Sequence, residues 1–173
     1  MKKKIQNFWY YHKVPAIIIL VVLAAGIYLL LTQRQSVESD YHAAVVSPQG
    51  LSGEQLARLQ SVLEGIGQDQ NGDGTVAVQL RVFRFAIGED GQDMNEVAAL
   101  DADLVGKESG LFFVENPEKF EQLTNAAGKA ADAVAVSEIP LLSGCGIDDL
   151  FLLMRADAEE KYALLTSALM TGQ

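Results

Sequence analysis

An uninterrupted apolar stretch occupies residues 14–31, VPAIIILVVLAAGIYLLL, and contains no charged residue. If helical, these 18 residues rise about 27 Å, close to the ~30 Å hydrocarbon core of a bilayer. The stretch therefore predicts a single transmembrane helix and divides the rest of the chain around it. The expected divisions are a basic stub (1–13), the transmembrane helix (14–31), a linker (32–40) and one extracytoplasmic domain (41–173).

Charge on either side of this stretch predicts its orientation. Residues 1–13 contain four lysines and no acid, whereas residues 32–40 contain one arginine and two acids. Because basic segments stay inside, we expect a single-pass plasma-membrane protein with a cytoplasmic N-terminus and an extracellular C-terminal domain. A cleaved secretory signal is the alternative, but the small residues Ala24, Ala25 and Gly26 lie within the apolar stretch instead of at its end. The sequence favours an uncleaved anchor.

The domain after the apolar stretch is strongly acidic. All 23 Asp and Glu residues follow residue 31, with nine of the 13 Lys and Arg residues, which gives that part a formal charge of −14. Nucleic acid is excluded as a partner, because its binding needs clustered cations. Cys145 is the only cysteine, so no internal disulfide can form. In the run LLSGCGI this residue is predicted to be a small buried hydrophobe.

Strand-like and helix-like segments alternate after residue 41. Short apolar or alternating runs predict strands at 41–47, 75–87, 110–115 and 150–154, while 132–137 fits either a strand or a helix. Capping residues predict helix starts at Ser52, Asp93, Asn116 and Asp157. The expected fold class is therefore α/β: a single N-terminal transmembrane helix plus one three-layer α/β/α domain with a largely parallel sheet of four to five strands. An irregular connection leads into 150–154 and admits an antiparallel orientation for that strand.

Three segments carry a resemblance to a known family: YHAAVVS (41–47), NGDGTVAVQL (71–80) and LDADLVGKESGLFFVENPEKF (100–120). Residues 41–120 resemble one lobe of Gram-positive type 2 extracytoplasmic solute-binding proteins. The chain also resembles single-pass membrane proteins whose external domain contains an NGDG segment. The resemblance implies solute binding, but the domain has residues for one lobe only, so no two-lobed closure and no ligand residue is carried over.

Candidate ligand-binding residues follow the predicted parallel strands. Ligands of open α/β sheets bind beyond the carboxyl ends of the strands, where this sequence places Ser47, Glu115 and Asn116. The alternative is that these residues only end strands or cap helices, as Asn116 before Pro117 is expected to do.

The segment DQNGDGT matches the first half of a calcium loop. Asp69, Asn71 and Asp73 stand at positions 1, 3 and 5, which supply oxygens, and Gly74 stands at the turn position. Position 12 is Leu80 instead of the bidentate Glu that completes such a loop. The alternative to a calcium site is therefore a turn rich in Asn, Asp and Gly.

No recognisable catalytic motif is present in the sequence. His12 belongs to the predicted stub, which leaves His42 and Cys145 as the usual bases or nucleophiles of the domain. Binding requires fewer special groups than catalysis. The sequence therefore predicts a membrane-anchored extracytoplasmic binding or interaction domain, with a small solute or a membrane protein as its partner. A hydrolase-type enzyme with a non-standard site is the rival hypothesis, in which His42 or Cys145 would act.

Overall fold

The computed structural model describes residues 21–23, 38–87, 93–124, 128–158 and 160–172. The chain divides into two units, Met1–Glu38 and Ser39–Gln173, and all strands described below belong to the second. Of the apolar stretch at 14–31, residues 21–23 are described, as helix, and the remainder of that prediction lies outside the described residues. Among the described residues, no helix is both long enough and apolar enough to cross a bilayer. The predicted fold class is corrected on this point, and the part of it that the structure supports is the α/β domain.

Strands and helices alternate through most of the domain. They are, in chain order, β1 (Tyr41–Val46), α1 (Gly53–Ile66), β2 (Val78–Phe83), α2 (Met94–Gly106), β3 (Leu111–Val114), α3 (Pro117–Thr124), β4 (Val134–Ala135), β5 (Phe151–Met154) and α4 (Glu160–Thr171). Three single 3₁₀ turns, Ala130–Asp132, Val136–Glu138 and Pro140–Leu142, flank β4 or follow it. The predicted capping box of α1 is confirmed: the Ser52 hydroxyl accepts from the Gln55 amide, and the Gln55 side chain accepts from the Ser52 amide.

The five strands form one mixed sheet in the order β2-β1-β3-β5-β4. β1 is parallel to β2 and β3, whereas β5 is antiparallel to β3 and β4. The α/β class is confirmed, but the prediction of a largely parallel sheet is wrong. No helix connects β4 to β5; 3₁₀ turns reverse the chain instead, so β5 enters between β3 and β4 in the opposite direction. The antiparallel orientation that the irregular connection admitted for 150–154 is therefore observed.

Helices cover both faces of the sheet. α1 and α4 pack on one face, against Val45 and Phe113, and α2 and α3 pack on the other, against Val46 and Phe112. β1 is buried on both faces because it is a central strand, which explains its continuous apolar run. Gly67 ends α1 at a close approach, since a Cβ there would lie 2.8 Å from the Val76 side chain.

Two edges of the sheet are available for a site. The carboxyl edge is where β1 and β3 end and β5 begins, with Val114 paired to Phe151. The amino edge is where β3 begins and β5 ends, with Leu111 paired to Met154. Because β2 and β3 lie on opposite sides of β1, the connections from β1 to β2 and from β2 to β3 run in opposite directions along the sheet. Such a reversal next to β1 is the switch point at which ligands of open sheets bind, on the carboxyl edge.

Candidate functional site

Ser47 and Glu115 meet at the carboxyl edge. Each directly follows a strand of the parallel pair, and the Ser47 hydroxyl donates to Glu115 Oε1 at 2.6 Å. The Ser47 backbone amide donates to the Phe83 carbonyl at 3.1 Å, which fixes the residue against β2. Ser47 is buried while Glu115 is exposed. The Glu115 carboxylate is therefore oriented by the buried Ser47 hydroxyl, while its side chain remains exposed to solvent.

Asn116, the third predicted residue, has the helix-capping role that its sequence position suggested. Its side-chain oxygen accepts from the Lys119 amide at 2.9 Å, and its carbonyl accepts from the Phe120 amide at 3.0 Å. Asn116 is exposed beside Glu115, so it borders the same surface. The structure thus brings the three predicted residues together and shows a structural role for one of them.

Two hollows flank Glu115 and Asn116. One encloses about 220 Å³ between the end of β1 and residues 85–87, with Lys119 at its side. The other encloses about 540 Å³ and is lined by Glu118 and by Ala131, Ala133 and Phe151. Carboxylates beside apolar side chains suit a ligand that carries a cationic group on an apolar body.

The predicted calcium residues form a loop that satisfies its own hydrogen bonds. Asp69 Oδ1 and Oδ2 accept from the Gly72 and Gly74 amides at 2.7 and 2.8 Å. Asp73 Oδ1 accepts from the Thr75 hydroxyl at 2.6 Å and from its amide at 2.8 Å, and these bonds lower the pKa of Asp73. Such bonds are those of a turn rich in Asn, Asp and Gly.

Positions 71 and 80 of the predicted calcium loop also pair with neighbouring residues. Asn71 Oδ1 accepts from the Asp73 amide, and Leu80, at position 12, lies in β2 opposite Ala43. Within the described part of the chain, no group of three or more His, Cys, Asp or Glu side chains is placed to hold a metal ion. The turn alternative therefore accounts for the hydrogen bonds among residues 69–75 given above.

A third hollow, at the amino edge, brings together groups that the sequence did not predict to meet. It encloses about 330 Å³, and the ionisable side chains that line it are those of His42, Lys107, Glu108, Arg155, Asp157 and Lys161. His42 Nδ1 is buried and has no hydrogen-bond partner. Burial lowers the pKa of His42, and the positive charges of Arg81 and Lys161 lower it further. The imidazole is therefore neutral at pH 7.

Sequence reasoning missed this hollow because its members are distant in the chain. Lys107 follows α2, Arg155 follows β5, and Lys161 lies in the first turn of α4. Only the antiparallel entry of β5 brings the segment after it to the start of β1 and β3. A parallel last strand would have placed that segment at the carboxyl edge.

Cys145 is buried, as predicted, with 3% of its surface exposed. Burial raises the pKa of its thiol, so the protonated form is favoured. This residue therefore contributes to packing, in the core between α1, α4 and the sheet.

Comparisons of the chain with models of protein families, with curated proteins and with solved structures gave no match. The resemblance to a solute-binding lobe accordingly stays a prediction.

Proposed function

We propose that this protein is a membrane-anchored extracytoplasmic binding domain at the plasma membrane, which receives a cationic group at Glu115. The observation that carries the proposal is the Ser47–Glu115 hydrogen bond at the switch point of the sheet. The bond orients one carboxylate oxygen and leaves the exposed side chain able to accept from a ligand. The partner is a small solute or a membrane protein that presents an amino or guanidino group.

The charge of the domain supports this ligand class. The formal charge of −14 after the apolar stretch attracts cations over a Debye length of about 8 Å at physiological ionic strength. Glu118 adds a second carboxylate to the larger hollow, while Phe151 supplies apolar surface. Long-range attraction and a local acceptor therefore favour the same kind of ligand.

The hydrolase-type alternative has less support at this edge. The Ser47 hydroxyl donates a hydrogen bond to a carboxylate, and His42, the one histidine among the described residues, lies at the amino edge instead of beside this serine. Cys145 is buried with a raised pKa. Binding of a cation at Glu115 requires no activated serine or cysteine.

The binding test uses the full-length protein in a nonionic detergent, titrated with agmatine, a guanidinium-bearing amine, and followed by NMR shifts of the backbone amides. We expect saturable shifts centred on 115–119 and a loss of affinity of about tenfold in Glu115→Gln, because a charge-assisted hydrogen bond is removed. Asp101→Asn removes one exposed acid on α2 and serves as the matched control. Equal weakening in both variants would mean that agmatine senses only the net charge, and the proposal would be abandoned.

The location is tested separately, with protease added to intact cells. We expect the domain to be degraded from outside while a fragment containing the N-terminus stays with the membrane. Survival of residues 41–173 under conditions that digest a known external protein would refute the proposed location. A mature chain that starts after residue 31 would instead show cleavage.

Whether Asp69, Asn71 and Asp73 bind calcium is tested on its own. Since the loop already forms hydrogen-bonded turns and lacks Glu at position 12, we expect no saturable heat when millimolar calcium is titrated in a calorimeter. A saturable heat that disappears in the double variant Asp69→Ala, Asp73→Ala would establish a calcium site instead.

A further inference from the structure

Positive charge is concentrated in one place on this acidic domain. Residues 39–173 contain eight Lys and Arg residues, and three of them, Lys107, Arg155 and Lys161, line the hollow at the amino edge. A fourth, Arg81, lies next to it and forms an ion pair with Glu108, another lining residue. These four cations face three acids, so the cluster has a net positive charge within a negative domain.

Arg155 is a fixed part of the wall. Only 7% of its surface is exposed, and its guanidinium donates to Asp157 Oδ1 at 2.7 Å, to the Leu104 carbonyl at 2.5 Å and to the Ser109 carbonyl at 3.3 Å. These contacts tie the end of β5 to the end of α2. The charge of Arg155 is therefore held in place before any ligand arrives.

The acidic side chains of the cluster form ion pairs with its cationic side chains. Asp103, 1% exposed, accepts from the Ser109 hydroxyl at 2.9 Å and from Arg81 at 3.1 Å. Asp157 accepts from Arg155 and also pairs with Lys107, and this contact with Lys107 is the first cause of its lowered pKa. Lys161 lies in the first turn of α4, with Nζ 5.4 Å from the centroid of the Tyr162 ring.

Two further features shape the hollow for a ligand. His42 lines the hollow, and its Nδ1 is a buried polar atom without a hydrogen-bond partner, which costs free energy. Gly110 allows the Tyr162 ring to lie against the backbone, since a Cβ at that position would be 2.4 Å from ring atoms. The Tyr162 hydroxyl in turn accepts from the His42 amide at 3.1 Å. These contacts hold the Tyr162 ring against the backbone of Gly110 and His42 in the wall of the hollow.

We propose that the hollow at the amino edge binds the oxyanion group of a small solute, a carboxylate or a phosphate, between Lys107 and Lys161. The volume of about 330 Å³ is at the small end of ligand pockets and fits a small organic acid or phosphate ester. Ammonium groups on long side chains adjust to either oxyanion, and the fixed Arg155 charge adds to the attraction. This site is separate from the one proposed at Glu115 and does not depend on it.

A phosphate group can also reach the hollow as part of a lipid headgroup, because the domain is proposed to lie near a membrane. The chemistry of recognition is the same for both sources. The experiment therefore includes free anions and lipid surfaces as separate arms.

The test uses full-length protein in a nonionic detergent and measures binding of inorganic phosphate and of succinate by calorimetry. We expect saturable binding of at least one anion and a loss of affinity of about tenfold in Lys161→Gln and in Lys107→Gln, since each removes a direct charge. Lys129→Gln is the matched control, an exposed lysine on the connection between α3 and β4. We expect it to bind as the wild type does.

The second arm measures flotation of the protein with phosphatidylglycerol and with phosphatidylcholine vesicles. Binding to phosphatidylglycerol alone, lost in Lys161→Gln and retained in Lys129→Gln, would identify the headgroup as the source of the oxyanion. Binding of neither free anion and of neither vesicle overturns the proposal. Equal loss in all three lysine variants would overturn it too.

A third readout distinguishes a binding role of the lysines from a structural one. The proton NMR signal of His42 is titrated in a His12→Gln background with and without saturating anion. Burial holds the pKa of His42 down, Arg81 and Lys161 lower it further, and Glu108 and Asp103 raise it, so an added negative charge in the hollow should also raise it. An unchanged titration in the presence of bound anion would place the anion elsewhere and refute the proposal.

Discussion

At the carboxyl edge, Ser47 and Glu115 directly follow two parallel strands, whereas at the amino edge the hollow is assembled from three connections that are distant in sequence. The carboxyl edge presents an exposed acid, and the amino edge presents lysines beside a neutral histidine. One sheet therefore offers two surfaces of opposite charge, and the difference arises from the direction of its fourth strand in space. Parallel strands determine the first surface, and the antiparallel β5 determines the second.

The largest expected effect comes from Gly110→Ala, which should disturb the amino edge alone. The new Cβ would lie 2.4 Å from the Tyr162 ring, so we expect a loss of about 1–3 kcal/mol in the free energy of unfolding and weaker anion binding. Denaturant unfolding measures the first quantity. Gly53→Ala, where nothing lies within 4 Å of the added carbon, is the control and should change stability by less than about 0.5 kcal/mol. Agmatine binding to the folded protein should remain, and its loss would show that the two edges are coupled.

Ser47→Ala should act on the opposite edge with a smaller effect. Removing the hydroxyl takes away the 2.6 Å hydrogen bond that orients Glu115, and we expect a cost of about 1 kcal/mol in stability and a weaker interaction with agmatine. Anion binding should be unaffected. Ser137→Ala, at an exposed serine after β4, gives the comparison. If agmatine bound as tightly to Ser47→Ala as to wild type, orientation of Glu115 by Ser47 would be irrelevant to the site.

The pH dependence of stability should separate His42 from the buried acid Asp40. Since the folded pKa of His42 lies below its ordinary value of 6.5, the unfolded chain binds more protons there, and stability falls as pH falls through the window below 6.5. His42→Gln should remove this decline. A wild-type profile that is flat between pH 7 and 5 would contradict the lowered pKa.

A second decline belongs to carboxylates at lower pH. Burial raises the pKa of the Asp40 carboxyl group, but hydrogen bonds from the backbone amides of Ala77, Gln70 and Asn71 lower it by more. The pKa of Asp40 therefore lies below 3.8. Stability that Asp40 supplies is present above 3.8 and is lost as pH falls through its folded pKa. This decline should persist in His42→Gln, which assigns the two windows to different groups.

The sequence predicted the local elements better than the way they assemble. Ser52 with Gln55 and Asn116 before Pro117 mark helix starts because capping is a local hydrogen-bond pattern, and the structure contains both caps. The pairing of Ser47 with Glu115 could be anticipated for a related reason, since parallel neighbours end at a common edge. Those parts of the fold and site depend on short stretches of chain.

The direction of β5 and the amino-edge hollow could not be anticipated in the same way. Val134 and Ala135 form a strand of two residues, too short to produce a recognisable pattern, and the turns after it determine where β5 enters the sheet. Lys107 and Lys161 line the same hollow only because β5 enters the sheet at this place and in this direction. These two lysines are 54 positions apart, and their proximity depends on the direction of a strand that contains neither of them. No local sequence pattern could predict it.

The central claim is that the two edges bind opposite charges independently, and one crossed titration tests it most directly. Wild type, Glu115→Gln and Lys161→Gln are each titrated with agmatine and with inorganic phosphate under the same NMR conditions. We predict that Glu115→Gln loses about tenfold in affinity for agmatine alone and Lys161→Gln about tenfold for phosphate alone. Loss of both ligands in either variant, or of neither ligand in both variants, would contradict the account.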